Sequence, residues 1–340
     1  MRPSSAIVPA VVAVLAAAMI PGGLPCRAAE ARPGVNFYLL KDQEMDFETA
    51  RKMPLADLVL QDKPWIASED IQRYDWSSHC VYLKKDVSIA WNRINLRGTP
   101  FVVVADGQRC YVGALWSMIS SFAPMGNAVL INGVGGISGQ KDLVALDLMS
   151  ALRRGERRVD VRDDPRMAKA LRRQGQFHAG LQCSLDKVRV EYKKDTCSVI
   201  YTYTVRNADE DDLYVLDPQR IDPVFFHDFQ NGVRGREVDD NVTFGWPNPR
   251  KGAPPPKPWA KVDLAWFSRL RKGESMTRTV TMDDLPRIPP GKYECTFSFG
   301  SPNFGHGFTG YISKAERQLK DGRIWLGRIT ATLMVDVPGK

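Results

Sequence analysis

Hydrophobic and polar positions fall into two textures along this chain. Between residues 35 and 180, apolar runs suited to buried strands are interleaved with stretches of helical spacing; from Gln182 onward, short segments alternate residue by residue. In the first region a strand is expected at Phe37–Leu40, a short helix capped by Ser68 and containing Ile71, and a strand at His79–Leu83. Phe101–Ala105 is apolar throughout and is followed by Asp106-Gly107, a turn pair that accepts positive φ, so a hairpin returning over Gln108–Val112 is predicted. A short helix over Ala114–Ser121, a strand over Ala128–Ile131 and a helix over Lys141–Arg153 should follow, the last from its spacing of Leu143, Val144, Leu146, Leu148 and Leu152. Asp164-Pro165 opens a second helix that Gly175 ends.

In the second region, strands are predicted at Lys187–Tyr192, Cys197–Val205, Ser275–Met282, Lys292–Phe299 and Ile324–Val337. The expected architecture is a mixed α/β domain over residues 35–180 followed by an immunoglobulin-like antiparallel β-sandwich over 182–340. The segment Pro247–Pro258 is too rich in proline for a strand interior and reads as an extended loop.

The amino terminus changes the picture. Arg2, an apolar run from Ile7 to Ile20, the breaker Pro21-Gly22-Gly23 and the small residues after it form a signal-peptide pattern over residues 1–28, with cleavage after Ala28 or after Ala31. Cys26 is the lipoprotein alternative, with Pro25 in the place where that motif wants a small residue. Secretion or residence in the periplasm is expected, with no membrane span after processing. Removing Arg2 and Arg27 takes the net charge from +8 to +6, a mild excess that does not call for a nucleic-acid partner.

Five cysteines remain after processing: Cys80, Cys110, Cys183, Cys197 and Cys295. An oxidising compartment permits bridges of Cys197 with Cys295 and of Cys80 with Cys110, the first because both thiols point into the same core by strand alternation. A hairpin opposing Tyr192 to Cys197 leaves Cys183 about 30 Å further along its strand, too far for a bridge to Cys197.

Catalytic chemistry is hard to place. The histidines are His79, His178, His227 and His306, without helical metal spacing, and there is no C-x-x-C, so no metal or cofactor site is expected. His79 and Cys80 adjoin on a strand and should face opposite ways. The glycine-rich stretch Gly133–Lys141 carries Gln140 where a phosphate loop needs lysine, and Ser138 where a dinucleotide fingerprint needs its third glycine. No G-x-S-x-G elbow occurs. Asp209-Glu210-Asp211-Asp212 reads as a solvated turn that lacks the spaced oxygen ligands of a calcium loop. Binding candidates are the aromatics Trp65, Tyr74, Trp76 and Trp116, as a peptide or sugar groove, and a basic set including Arg157 and Arg158 for an acidic partner.

Pro64–Ile71, the strand at His79, the segment G-T-P-F-V-V-V-A-D-G at Gly98–Gly107, Gly113-Ala114 and Ile131-Asn132-Gly133 together resemble the periplasmic P1 head region of the SecD protein-export subunit, over roughly 70 residues. That resemblance implies a periplasmic domain that handles polypeptide. The second region, with Gly273-Glu274-Ser275 and Pro289-Pro290-Gly291-Lys292-Tyr293 leading into strands, resembles immunoglobulin-like modules of bacterial envelope proteins. The function expected is an exported, non-enzymatic binding or accessory protein of the envelope that recognises a protein, peptide or envelope component. A secreted hydrolase with a site assembled from scattered residues is the alternative.

Overall fold

The computed structural model describes residues 32–85, 94–117, 120, 122, 124, 126–132, 142–151, 160–221, 226–227, 231–238, 242–245, 263–301, 316 and 318–339. The expected signal peptide with Cys26, the glycine-rich stretch at 133–141, Arg157, Arg158, the proline-rich stretch at 247–258 and His306 lie outside these residues.

Among the described residues, the chain runs through β1 (Val35–Leu39), α1 (Phe47–Ala50), β2 (Ile71–Asp75), β3 (Cys80–Leu83), β4 (Thr99–Ala105), β5 (Gln108–Trp116), β6 (Gly126–Asn132), β7 (Leu143–Ala145) and β8 (Asp147–Ala151). It continues through α2 (Pro165–Arg173), β9 (Phe177–His178), β10 (Leu181–Tyr192), β11 (Thr196–Asn207), β12 (Leu213–Leu216), β13 (Gly232–Glu237) and β14 (Thr243–Phe244). The remaining strands are β15 (Phe267–Leu270), β16 (Ser275–Pro286), β17 (Gly291–Gly300), β18 (Arg323–Ile324) and β19 (Arg328–Val337). They form five sheets, ordered β1-β4-β5-β6-β8, β7-β3-β2-β9, β10-β11-β16, β15-β12-β18 and β14-β13-β17-β19.

The described part of the protein is therefore mostly β, with 52% of the described residues in strands and the five sheets set in a ring like a five-bladed β-propeller. This overturns the expectation of a mixed α/β domain followed by an immunoglobulin-like sandwich. The connectivity is not a repeated meander, because β5–β6, β2–β9 and β12–β18 pair in parallel.

The reason for the error lies in the sheet β7-β3-β2-β9. Cys80, Tyr82, Leu143 and Ala145 point into one core, shared with the sheets of the second half, while Val81, Leu83, Val144 and Leu146 point into another, shared with β1 and β4. A strand buried on both faces loses its polar alternation and becomes a continuous apolar run. Leu143–Leu146 is such a run, and with Leu148 its leucines mimic a helical stripe although the segment is β7 and the start of β8. Ala114–Trp116 likewise extends β5 instead of opening a helix, and the Ser68 segment is a single 3-10 turn over Ser68–Asp70.

Other local expectations match. Asp106 and Gly107 have φ of 50° and 79° and join β4 to β5 with Ala105 opposite Gln108. The helix α2 starts at Pro165 behind an Asp164 cap whose carboxylate accepts the Arg166 N–H. In the second half, Cys197, Val199, Tyr201, Tyr203 and Val205 of β11 meet Tyr293, Cys295, Phe297 and Phe299 of β17 in one core, with Tyr203 stacked on Phe297 at 4.3 Å between centroids. No helix among the described residues is long and apolar enough to cross a membrane.

Candidate functional site

The sheet β7-β3-β2-β9, the wall between the two cores, carries polar groups where its strands leave it. The short parallel pairing of β9 with β2 sets His178 beside Asp75, held by the Tyr74 N–H on the Gln176 carbonyl and the Trp76 N–H on the His178 carbonyl, both at 2.7 Å. Past Asp75, the chain turns through Trp76–His79 and returns as β3. The Asp75 carboxylate organises that turn: Oδ1 accepts the Ser77 hydroxyl at 2.7 Å and the Ser78 N–H at 3.2 Å. Ser77 Oγ in turn accepts the Leu181 N–H and the Trp325 indole N–H, each at 3.0 Å, tying three distant segments together.

Arg323 closes the arrangement from the other half of the molecule. It is 3% exposed, and its Nη2 donates to Asp75 Oδ2 at 2.8 Å and Asp209 Oδ2 at 2.7 Å, both carboxylates being fully buried. Burial opposes the guanidinium charge, but the two aspartates and Tyr82 more than offset it, so the group stays cationic. Its Nε lies 3.8 Å from Asp211 Oδ2. Arg323 is placed by the parallel pairing of β18 with β12 and by its own N–H on the Asp212 carbonyl at 3.0 Å.

Asp209 gathers the most donors. Oδ2 also accepts the Gly180 N–H at 3.1 Å, while Oδ1 accepts His178 Nδ1 at 3.0 Å and the Asp211 N–H at 3.2 Å. Burial alone would raise this carboxyl; the His178 hydrogen bond and the Arg323 charge hold it well below the usual carboxylate range. Gly180 has φ of 71°, and a side chain there would clash with Ser77 Oγ and Asp75 Oδ1, so only glycine lets the link from β9 to β10 pass this close to the turn. Asp211 is half-exposed and stands 3.5 Å from His178 Nδ1.

A second cluster lies on the opposite side of the wall. His79 has φ of 53°, is 4% exposed, and shares a 3.0 Å hydrogen bond between its Nδ1 and the Tyr74 hydroxyl. Its Nε2 is 3.6 Å from Asp163 Oδ1. Burial, reinforced by the nearby Arg162 charge, pushes the imidazole down to about 3, so it is neutral at physiological pH. Arg162 forks onto Asp160 with Nε–Oδ1 at 2.8 Å and Nη2–Oδ2 at 2.5 Å and also donates to the Leu146 carbonyl. Asp160 is thus committed to an ion pair, and His79 is packed between aromatic neighbours Tyr74 and Trp76.

The sequence candidates are dispersed. Tyr74 is fully buried, Trp65 and Trp76 pack partly buried against the same core, and Trp116 lies 5% exposed in a different cluster with Phe47 and Leu130. They do not line one groove. Of the basic set, Arg162, Arg166 and Arg173 pair with Asp160, Asp164 and Asp106, and Arg172 lies 4.0 Å over the Phe177 ring. All five described cysteines are free thiols: neither Cys197–Cys295 nor Cys80–Cys110 is bridged. Cys80 and Cys110 pack against different cores, and Cys197 donates instead to the Pro286 carbonyl at 3.2 Å. Burial pushes the Cys80 and Cys295 thiols up to about 12, which leaves them poor nucleophiles.

Sequence reading weighed His178 and the Asp209–Asp212 run separately and did not single out Asp75 or Arg323. The available signal was local: Asn207 Oδ1 accepts the Asp209 N–H, the pattern of a structured turn. No protein-family model matches this chain, and no curated protein matches it significantly.

Proposed function

We propose that this protein is an exported, non-enzymatic binding protein of the cell envelope that takes an extended polypeptide along the outer edge of β16. The observation that carries the reading is that edge. β16 is the outer strand of its sheet, twelve residues long, and no strand pairs with its far side among the described residues. Met276, Val280 and Met282 anchor it in the core, while Thr277, Thr279 and Thr281 are exposed, Thr277 and Thr279 forming hydroxyl ladders with Thr204 and Thr202 at 2.9 Å. From Met276 to Met282 neither proline nor lysine, the usual guards of a sheet edge, interrupts it. An open edge offers backbone donors and acceptors to an added strand. The amino-terminal pattern supports export, and the resemblance of the first region to a periplasmic polypeptide-handling head is consistent with this ligand class.

A photo-cross-linking residue at Thr281 should capture polypeptide from an envelope extract, whereas one at the exposed Glu294 on the internal strand β17 should not. Replacing Thr277 and Thr279 by lysine should abolish capture at that edge. Equal labelling from both positions, insensitive to the lysines, would remove the support for this reading.

A second reading, hydrolysis, is favoured by one feature: buried Asp209 holds His178 Nδ1 as a carboxylate orients a general base. Among the described residues no hydroxyl or thiol hydrogen-bonds to that imidazole, which favours binding over this alternative. Turnover of a generic ester or peptide substrate, lost in His178→Ala, would reverse the preference.

A further inference from the structure

The carboxylates around Arg323 do not balance. Asp75, Asp209 and Asp211 carry three negative charges against one guanidinium, −3 + 1 = −2. Their neighbours in the same turn have cations of their own: Glu210 pairs with Lys272, and Asp212 with Arg269, whose Nε is 2.7 Å from Asp212 Oδ2. The deficit is therefore centred on Asp75 and Asp209, both fully buried, with half-exposed Asp211 at the rim, and desolvated negative charge is costly without a counter-charge.

The same place holds nitrogen and oxygen donors at coordination spacing. His178 Nδ1 lies 3.0 Å from Asp209 Oδ1 and 3.5 Å from Asp211 Oδ2, and the three atoms lie within 4.8 Å of one another. Ligands bound at 2.0–2.1 Å around a tetrahedral ion stand about 3.3 Å apart. The outer contacts are also in place: Arg323 and the Gly180 N–H hold Asp209 Oδ2, which leaves Oδ1 facing the imidazole.

We propose that His178, Asp209 and Asp211 bind one divalent transition-metal ion that ties β9 to the turn after β11. One imidazole and two carboxylates suit zinc and its neighbours better than calcium, which prefers oxygen alone. The ion's two positive charges cancel the local deficit of two. Binding takes the place of the His178–Asp209 hydrogen bond, so neutral imidazole coordinates through Nδ1. The metal is a cross-link between the wall sheet and the second half, and this inference stands apart from the polypeptide edge at β16.

Calorimetric titration of the purified, chelator-treated chain with zinc in a non-chelating reductant tests it. One ion per chain is expected, with a raised thermal midpoint in the zinc-loaded protein. Asp211→Asn, a change at a half-exposed position, should weaken binding by about tenfold or more. His178→Ala should do the same, and His79→Gln should leave it unaltered. Absence of saturable binding, or an Asp211→Asn protein that binds zinc as tightly as the parent, would overturn the proposal.

Discussion

The two histidine–aspartate clusters are built from the same residue types and do opposite things. Around His79, Arg162 forks onto Asp160 and also donates to the Leu146 carbonyl, and the imidazole is sealed between Tyr74, Trp76 and the turn, with the half-exposed Asp163 3.6 Å from its Nε2. Around His178, one guanidinium is divided among three carboxylates and the rim, Asp211, is half-exposed. Composition does not distinguish them. The ratio of cation to carboxylate, one to two around His79 and one to three around His178, and the exposure of the imidazole side chain, 5% against 20%, do, and they are why the proposed ion is placed at the second cluster.

The comparison breaks most severely at Arg323. Arg323→Ala leaves Asp75 and Asp209 buried without a counter-charge, and a loss of about 3–5 kcal/mol in urea unfolding is expected, whereas Arg323→Lys should recover part of it. A loss below 1 kcal/mol would mean that water reaches these carboxylates.

The His79 cluster should reveal itself through pH. Native His79 titrates at about 3, while the unfolded imidazole takes its proton near 6.5. Below pH 6.5 the unfolded state therefore binds more protons, and stability falls as pH falls through the window from 6.5 to 3, by about 1.4 kcal/mol per unit, or roughly 3 kcal/mol by pH 4. The parent curve should lose this extra slope in His79→Gln. Parallel curves for the two proteins would show that the imidazole is hydrated in the native state.

Several local elements were readable from the chain, the fold as a whole was not, and the failures are instructive. Asp106-Gly107 announced its hairpin because few residue pairs tolerate two positive φ values, and Asp164-Pro165 announced α2 because cap and first-turn chemistry are local. The inward face of β11 followed from alternation because only one side of that strand is buried. Leu143–Leu146 failed for the converse reason: burial on both faces erased the period that identifies a strand. The same shared wall defeated the division into an α/β domain and a sandwich. As for the site, Asp75 and Arg323 lie 248 residues apart, and no local pattern marks either as half of an ion pair.

A smaller effect is expected at Tyr74. Tyr74→Phe removes the hydroxyl from His79 Nδ1 and leaves a buried nitrogen without its partner, a cost of about 1–3 kcal/mol in the same unfolding measurement. Glu210→Gln marks the lower limit: this carboxylate and Lys272 are both exposed, so stability should not change measurably, in contrast to its buried neighbour Asp209.

The two-residue strand β18 has a kinetic implication. It delivers Arg323 to a carboxylate on β2, so the earliest-made wall of the molecule stays electrically incomplete until that late segment arrives. A chain emerging amino-terminus first can assemble the β4–β5 hairpin at once, but it must keep Asp75 wet until position 323 has docked. Final locking is thereby postponed until the carboxy-terminal strands have been made.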